Sequence, residues 1–359
     1  MNKKAVYIED QDASTIQTEL SNRGLDIEVI SPSGFDETLQ DLNAKKFAAI
    51  IMDFRLTSGI GRVDAPTFAS TFRTIGSNHK QVPMILISNE ENLPFFSQDF
   101  TSQDLFDFVI SKNVLRKNYD KYTERILSLI EAYELVDTYK FNLTKVLNIE
   151  NVKNLDYRFI ALLNSFKMNV DVYGYIRTIN NSLIRAIGPL VGPDVLAARL
   201  GVDKTCEDFY KLLSTPEFTL CKYHGVLSKT YERWWFDKIQ QFWSTITRDS
   251  MRRTTAEVRV NILNKRFDLN LRAAIPLEMA ISSTFWTICH ENKRPLDPVD
   301  GFPYRNRHID EWLEPEYISL ISALEDPTQQ EYLSPRDKEE VRFLGNQAHE
   351  KKNTDFKRY

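Results

Sequence analysis

Apolar runs, each closed by a polar residue, organise the first third of the chain. Residues 4–8 (KAVYI) read as a short buried strand, with Glu9 and Asp10 directly after it. Ile16 and Leu20 then recur at helical spacing over 13–22, and "NRG" ends that helix on a glycine. "LDIEVIS" is a second strand. "SPSGFDETLQDLN" begins with cap-type residues and continues with Phe35, Leu39 and Leu42 on one helical face. "FAAIIM" is almost wholly apolar, as expected for a strand buried on both faces, and Asp53 follows it. A polar loop leads to a helix near 65–75. "VPMILI" ends at Ser88 and "FVIS" ends at Lys112. Residues 114–137 read as a long amphipathic helix through Leu115, Tyr122, Ile126, Leu129, Ile130 and Tyr133.

Strand and helix alternate five times over about 135 residues, a length that suits one domain. The pattern predicts an α/β doubly wound, five-stranded parallel sheet of the flavodoxin-like kind. After residue 137 the pattern changes, and 138–359 reads as a mainly α-helical domain. Helical segments are expected near 155–187, 193–213, 228–248, 272–290, 314–325 and 335–350, with a proline-rich connection over 292–317.

Composition adds little. The 359 residues are 42% hydrophobic and 27% charged, with a net charge of −4, so no overall polycation draws the chain to nucleic acid or membrane. No apolar run is long enough to span a bilayer, and no apolar leader follows Met1. Cys206, Cys221 and Cys289 stand far apart, which suits reduced thiols in a cytoplasmic protein.

Polar residues just past buried parallel strands lie at the carboxyl edge of the sheet, where ligands of such folds bind. Three acids, a hydroxyl and a lysine at that edge make a divalent-metal and phosphoryl site. The set resembles the receiver (CheY-like) domain of response regulators over residues 4 to about 135. It has the acid pair after the first strand (Glu9, Asp10) and the phosphoacceptor after the third (Asp53). It also has the hydroxyl after the fourth (Ser88) and the lysine after the fifth (Lys112). Asn113 stands where the family has proline.

The resemblance implies that Asp53 accepts a phosphoryl group, with Ser88 and Lys112 serving the phosphoryl oxygens. It implies Mg²⁺ held by Glu9, Asp10, Asp53 and the backbone carbonyl of Arg55. It further implies that Arg55 and Glu90 tune the lifetime of the phosphoaspartate. A histidine kinase or a small-molecule phosphodonor is the expected source, and no enzymatic activity is expected beyond self-phosphorylation and dephosphorylation at Asp53.

The region beyond 137 is expected to be an output or protein-interaction domain. Alternatives stay open: a pseudo-receiver scaffold within a larger assembly, a nucleic-acid-binding regulator using the basic stretch 252–266, or an RNase effector. The last rests on Arg342 and His349, whose spacing resembles that of HEPN ribonucleases. "CKYH" (221–224) and Cys289-His290 lack the usual zinc spacing and read as buried structural residues. Trp235, Ile239 and Trp243 form one helical stripe, read as core packing. A homodimer is left open.

Overall fold

Four of the five apolar runs lack the alternation of a half-exposed strand, and three of them form the interior of one parallel sheet while the fourth lies at an edge. The computed structural model describes the backbone of residues 2–32, 34–56, 64–74, 81–89, 104–305 and 309–356, and side chains as far as 347. The strands are β1 (Lys3–Ile8), β2 (Leu25–Ile30), β3 (Ala49–Met52), β4 (Met84–Ser88) and β5 (Phe108–Ser111). Their order is β2-β1-β3-β4-β5, all parallel. Every residue of β3 and β4 is buried. β2 alternates instead, with Asp26 and Glu28 exposed, as an edge strand should.

The helices are α1 (Ser14–Ser21), α2 (Phe35–Asn43), α3 (Ala65–Thr74), α4 (Lys112–Lys117) and α5 (Tyr119–Thr138). The single long helix expected over 114–137 is two, broken at Asn118, whose side chain caps the second. The chain steps from β1 to β2 in one direction and from β2 to β3 in the other. Right-handed crossovers then put α1 and α2 on opposite faces. Arg23, just past α1, donates to Asp120 of α5 at 2.6 Å, so those two helices share a face. The flavodoxin-like fold is therefore present. Its direction reversal lies between β1 and β3, which is where ligands of such sheets sit.

Two compact units divide the contacts. Unit 1 comprises 1–152, 161–178 and 224–230; unit 2 comprises 153–160, 179–223 and 231–359. Unit 1 carries a buried polar node as well as its apolar core. Asp107 accepts from the Met84 backbone N–H at 2.9 Å, the Tyr133 hydroxyl at 2.8 Å and Arg73 at 3.3 Å. Arg73 also lies over the Tyr173 ring, 3.4 Å from its centroid.

Among the described residues, unit 2 is helix-rich, with three short two-stranded pairings. Several expected helices are shorter than their periodicity suggests. The segment 193–213 splits at Gly201, whose φ of +73° favours glycine and whose added Cβ would meet the Ala256 Cα at 2.6 Å. The helix expected over 228–248 begins only at Phe236, because Trp234–Trp235 pairs with Leu190–Val191. No helix forms over 272–290. Its backbone is bonded elsewhere, with Ala274 N–H to Gly201, Trp286 N–H to Leu296, and the Arg272 carbonyl to Asp203 N–H. Pro276 also removes a donor there. Ile275 and Ile281, within this segment, are exposed. The proline-rich connection contributes Gly301–Tyr304, paired with Glu316–Ser319. The tryptophan stripe is core: Trp235, Ile239 and Trp243 are all buried.

Two arginines of unit 2 are fully buried. Arg199 bonds Glu314 at 2.7 Å and lies against the rings of Phe236 and Trp286. Arg259 has carbonyl partners instead: Thr254 at 2.9 Å, Phe285 at 3.1 Å, Ala198 at 3.4 Å and Arg199. Burial lowers the Arg259 pKa to about 10. Among the described residues, no helix is long and apolar enough to cross a membrane.

Asp107→Ala should lower the unfolding free energy by about 3 kcal/mol, because it strands Arg73 and the Tyr133 hydroxyl in the interior. Urea titration measures this, and a loss below about 1 kcal/mol would show the node to be peripheral.

Candidate functional site

Glu9 and Asp10 follow β1 and Asp53 follows β3, so the reversal point brings their carboxylates together. Single oxygens from the three lie within 4.8 Å of one another. Glu9 and Asp53 are buried, whereas Asp10 stands exposed at the rim. Lys112, the first residue of α4, is buried beside them. Its ammonium donates to Glu9 Oε2 at 2.6 Å and to Asp53 Oδ2 at 3.3 Å. Ser111 caps α4 by accepting from the Val114 N–H at 3.1 Å, which fixes the turn that carries Lys112. Ser88, wholly buried at the end of β4, lies in register with Ser111.

One participant escaped sequence reasoning. Tyr7 is fully buried and donates its hydroxyl to Glu9 Oε2 at 2.6 Å, the oxygen that Lys112 also engages. Strand periodicity contained the signal, since residues two apart share a face. A tyrosine inside an apolar run nevertheless reads as core.

Charge is unbalanced here. Burial raises the Asp53 pKa above the ordinary carboxylate value and Glu9 raises it further, while Lys112 and the Phe54 N–H oppose them. Asp10 is also raised, by desolvation and then by Glu9. Burial, followed by Glu9, pushes the Tyr7 phenol up, so it stays a donor. Asp53 Oδ1 is buried and has no hydrogen-bond partner among the described residues. Three carboxylates against one ammonium, with one orphaned carboxylate oxygen, fit a hard divalent cation that takes oxygen ligands.

The remaining predicted residues are placed as follows. Arg55 is exposed and forms a bridge with Asp64. Glu90 lies outside the described residues. Arg342 is exposed on the helix Pro335–Phe356; His349 shares that helix, but its side chain lies outside the described ones. The basic stretch 252–266 is largely spoken for, because Arg252 pairs with Asp297 at 2.9 Å, Arg266 pairs with Glu217 at 2.9 Å, and Arg259 is buried. His290 bonds Glu316 at 2.5 Å, and the Cys289 thiol lies against the Ser319 and Ser322 hydroxyls. Among the described residues, no cysteine or histidine belongs to a metal-capable group.

No protein-family model and no curated protein matches the chain. The N-terminal third is similar to solved CheY-like receiver domains. One, from Methylobacillus flagellatus, is 16% identical and spans 35% of this chain and 99% of its own, with a TM-score of 0.29. The response regulator TrrA of Thermotoga maritima, solved with Mg²⁺ and BeF, is 18% identical over 35% of this chain and 98% of its own, with a TM-score of 0.28. The receiver domain of the sensor histidine kinase PA1611 of Pseudomonas aeruginosa, with magnesium in its active-site cleft, is 17% identical. It spans 35% of this chain and 98% of its own, with a TM-score of 0.30.

Because Asp53 holds its proton more tightly folded than unfolded, ionising it costs stability as pH rises through that range. Asp53→Asn should therefore be more stable than the wild type at pH 7 without divalent cations, by about 1 kcal/mol. The gap should close as pH falls below the ordinary carboxylate pKa. Thermal unfolding against pH measures it, and a variant less stable at pH 7 would contradict the charge conflict.

Proposed function

We propose that this protein is a response-regulator-like phospho-signalling protein in which Asp53 accepts a phosphoryl group. The carrying observation is the pairing of a buried nucleophile with a buried cation. Asp53 has one oxygen on Lys112 and the other without a hydrogen-bond partner among the described residues, at the reversal point of a doubly wound sheet.

In the transfer, a carboxylate oxygen of Asp53 forms a new O–P bond. The donor's P–N or P–O bond breaks, and its leaving group keeps the electron pair. A histidine kinase or a small phosphodonor supplies the group. Lys112 sits within reach of both Glu9 and Asp53, so its ammonium can follow the charge onto the phosphoryl oxygens. Ser88 offers a hydroxyl at the next strand end. Tyr7 fixes the Glu9 carboxylate through its short hydrogen bond. Glu9, Asp10, Asp53 and the backbone carbonyl of Arg55 would hold Mg²⁺, which supplies neutralising charge to carboxylates and phosphoryl oxygens together. Arg55 and Glu90 set the lifetime of the acyl phosphate by obstructing water.

The signal acts as a population shift between two arrangements of the receiver, residues 1–137. These differ in how they engage 138–359, the output or partner-binding region. A cytoplasmic location suits such chemistry.

Hydrogen exchange of the full chain with Mg²⁺ and beryllofluoride, a phosphoryl mimic, tests this reading. Protection is expected around Asp53, Ser88 and Lys112, with coupled changes beyond residue 138. An unchanged exchange map with Mg²⁺ present would overturn the switch and favour a pseudo-receiver scaffold.

A further inference from the structure

Unit 2 holds an open cavity of about 500 Å³ lined by three basic and two acidic side chains. Arg185, Arg233 and Lys293 all line it. Arg185 and Lys293, at its exposed rim, have side chains that make no hydrogen bond or ion pair among the described residues. Arg233 is half-buried and held rigidly: its guanidinium donates to the Glu232 carbonyl at 2.8 Å and to the Ile184 carbonyl. Neither partner carries a charge. Burial lowers the Arg233 pKa, Tyr231 and Asp194 act to raise it, and Arg185 lowers it further.

Two acids also line the cavity, and each already has a hydrogen-bond partner. Asp194 accepts from Lys204, and Glu316 accepts from His290 at 2.5 Å. The residues Gly192–Val195, where the helix Pro193–Leu200 begins, form another wall, and helix N-termini favour anions. Gly192 lets the arginine approach, because a Cβ there would meet Arg233 Nη1 at 2.9 Å. Ile187, Val195 and Ile288 supply apolar lining.

We propose that this cavity binds a phosphate-bearing small molecule of nucleotide size. Two guanidinium groups present the planar forks that suit phosphate oxygens, and Lys293 adds a point charge. The volume falls within the range of small-molecule sites, about 300–1,000 Å³, and exceeds what a lone inorganic anion fills. The site lies entirely within unit 2, so it stands or falls independently of phosphoryl transfer at Asp53.

Calorimetric titration of the full chain with sodium pyrophosphate and with adenosine 5′-monophosphate tests it. At least one should bind saturably with one-to-one stoichiometry, and more weakly as salt rises. Arg185→Glu and Lys293→Glu should each weaken that binding at least tenfold. Their ligand-free melting temperatures should stay unchanged, since neither side chain holds the fold. Gly192→Ala, which displaces Arg233, should weaken it as well. Absence of saturable heat from both probes up to about 10 mM would overturn the proposal. Binding that both charge-reversal variants retain at full strength would also overturn it.

Discussion

Lys112 is a single buried cation placed among three converging carboxylates, and the N-terminal site turns on that imbalance. Its ammonium is shared between Glu9 and Asp53, and it cannot neutralise both. The Tyr7 hydroxyl eases the conflict by donating to Glu9, while Asp53 keeps a raised pKa and an oxygen with no hydrogen-bond partner among the described residues. Such an arrangement is poor for stability alone, because buried groups of one sign repel and desolvation disfavours each charge. It becomes favourable when positive charge arrives to engage the free oxygen. The sheet imposes the geometry: strands buried on both faces admit polar side chains only at their ends, and the reversal between β1 and β3 places two such ends side by side.

The sequence was readable where local pattern and tertiary role coincide. "FAAIIM" followed by Asp53 has one structural solution, a central parallel strand with a polar end, and the same reasoning placed Glu9, Ser88 and Lys112. Tyr7 was hidden because an aromatic inside an apolar run is indistinguishable from core until its hydroxyl finds Glu9. The break at Asn118 was also missed, since hydrophobic periodicity runs straight through it.

Unit 2 resisted reading for a different reason. Over 272–290, apolar residues recur at intervals that suit a helix, yet backbone bonds to Gly201, Asp203 and Leu296 hold the segment extended or irregular. Those partners are remote in sequence, and no local propensity encodes them. Arg259 makes the same point for charge. It sits in a stretch that resembles a solvated basic face, yet its guanidinium is buried among carbonyl oxygens, including two from the helix Pro193–Leu200. Basic residues are thus consumed where the sequence clusters them. Distant segments elsewhere bring Arg185, Arg233 and Lys293 together around one cavity, where among the described residues none of the three forms a salt bridge.

The most direct measurement is peptide mass spectrometry of the full chain after incubation with acetyl phosphate and Mg²⁺. The imbalance at Lys112 predicts one added phosphoryl group, located on Asp53, dependent on Mg²⁺ and absent from Asp53→Asn. A chain that takes up no phosphoryl group, or one whose labelling persists in Asp53→Asn, would contradict the assignment of Asp53 as the acceptor.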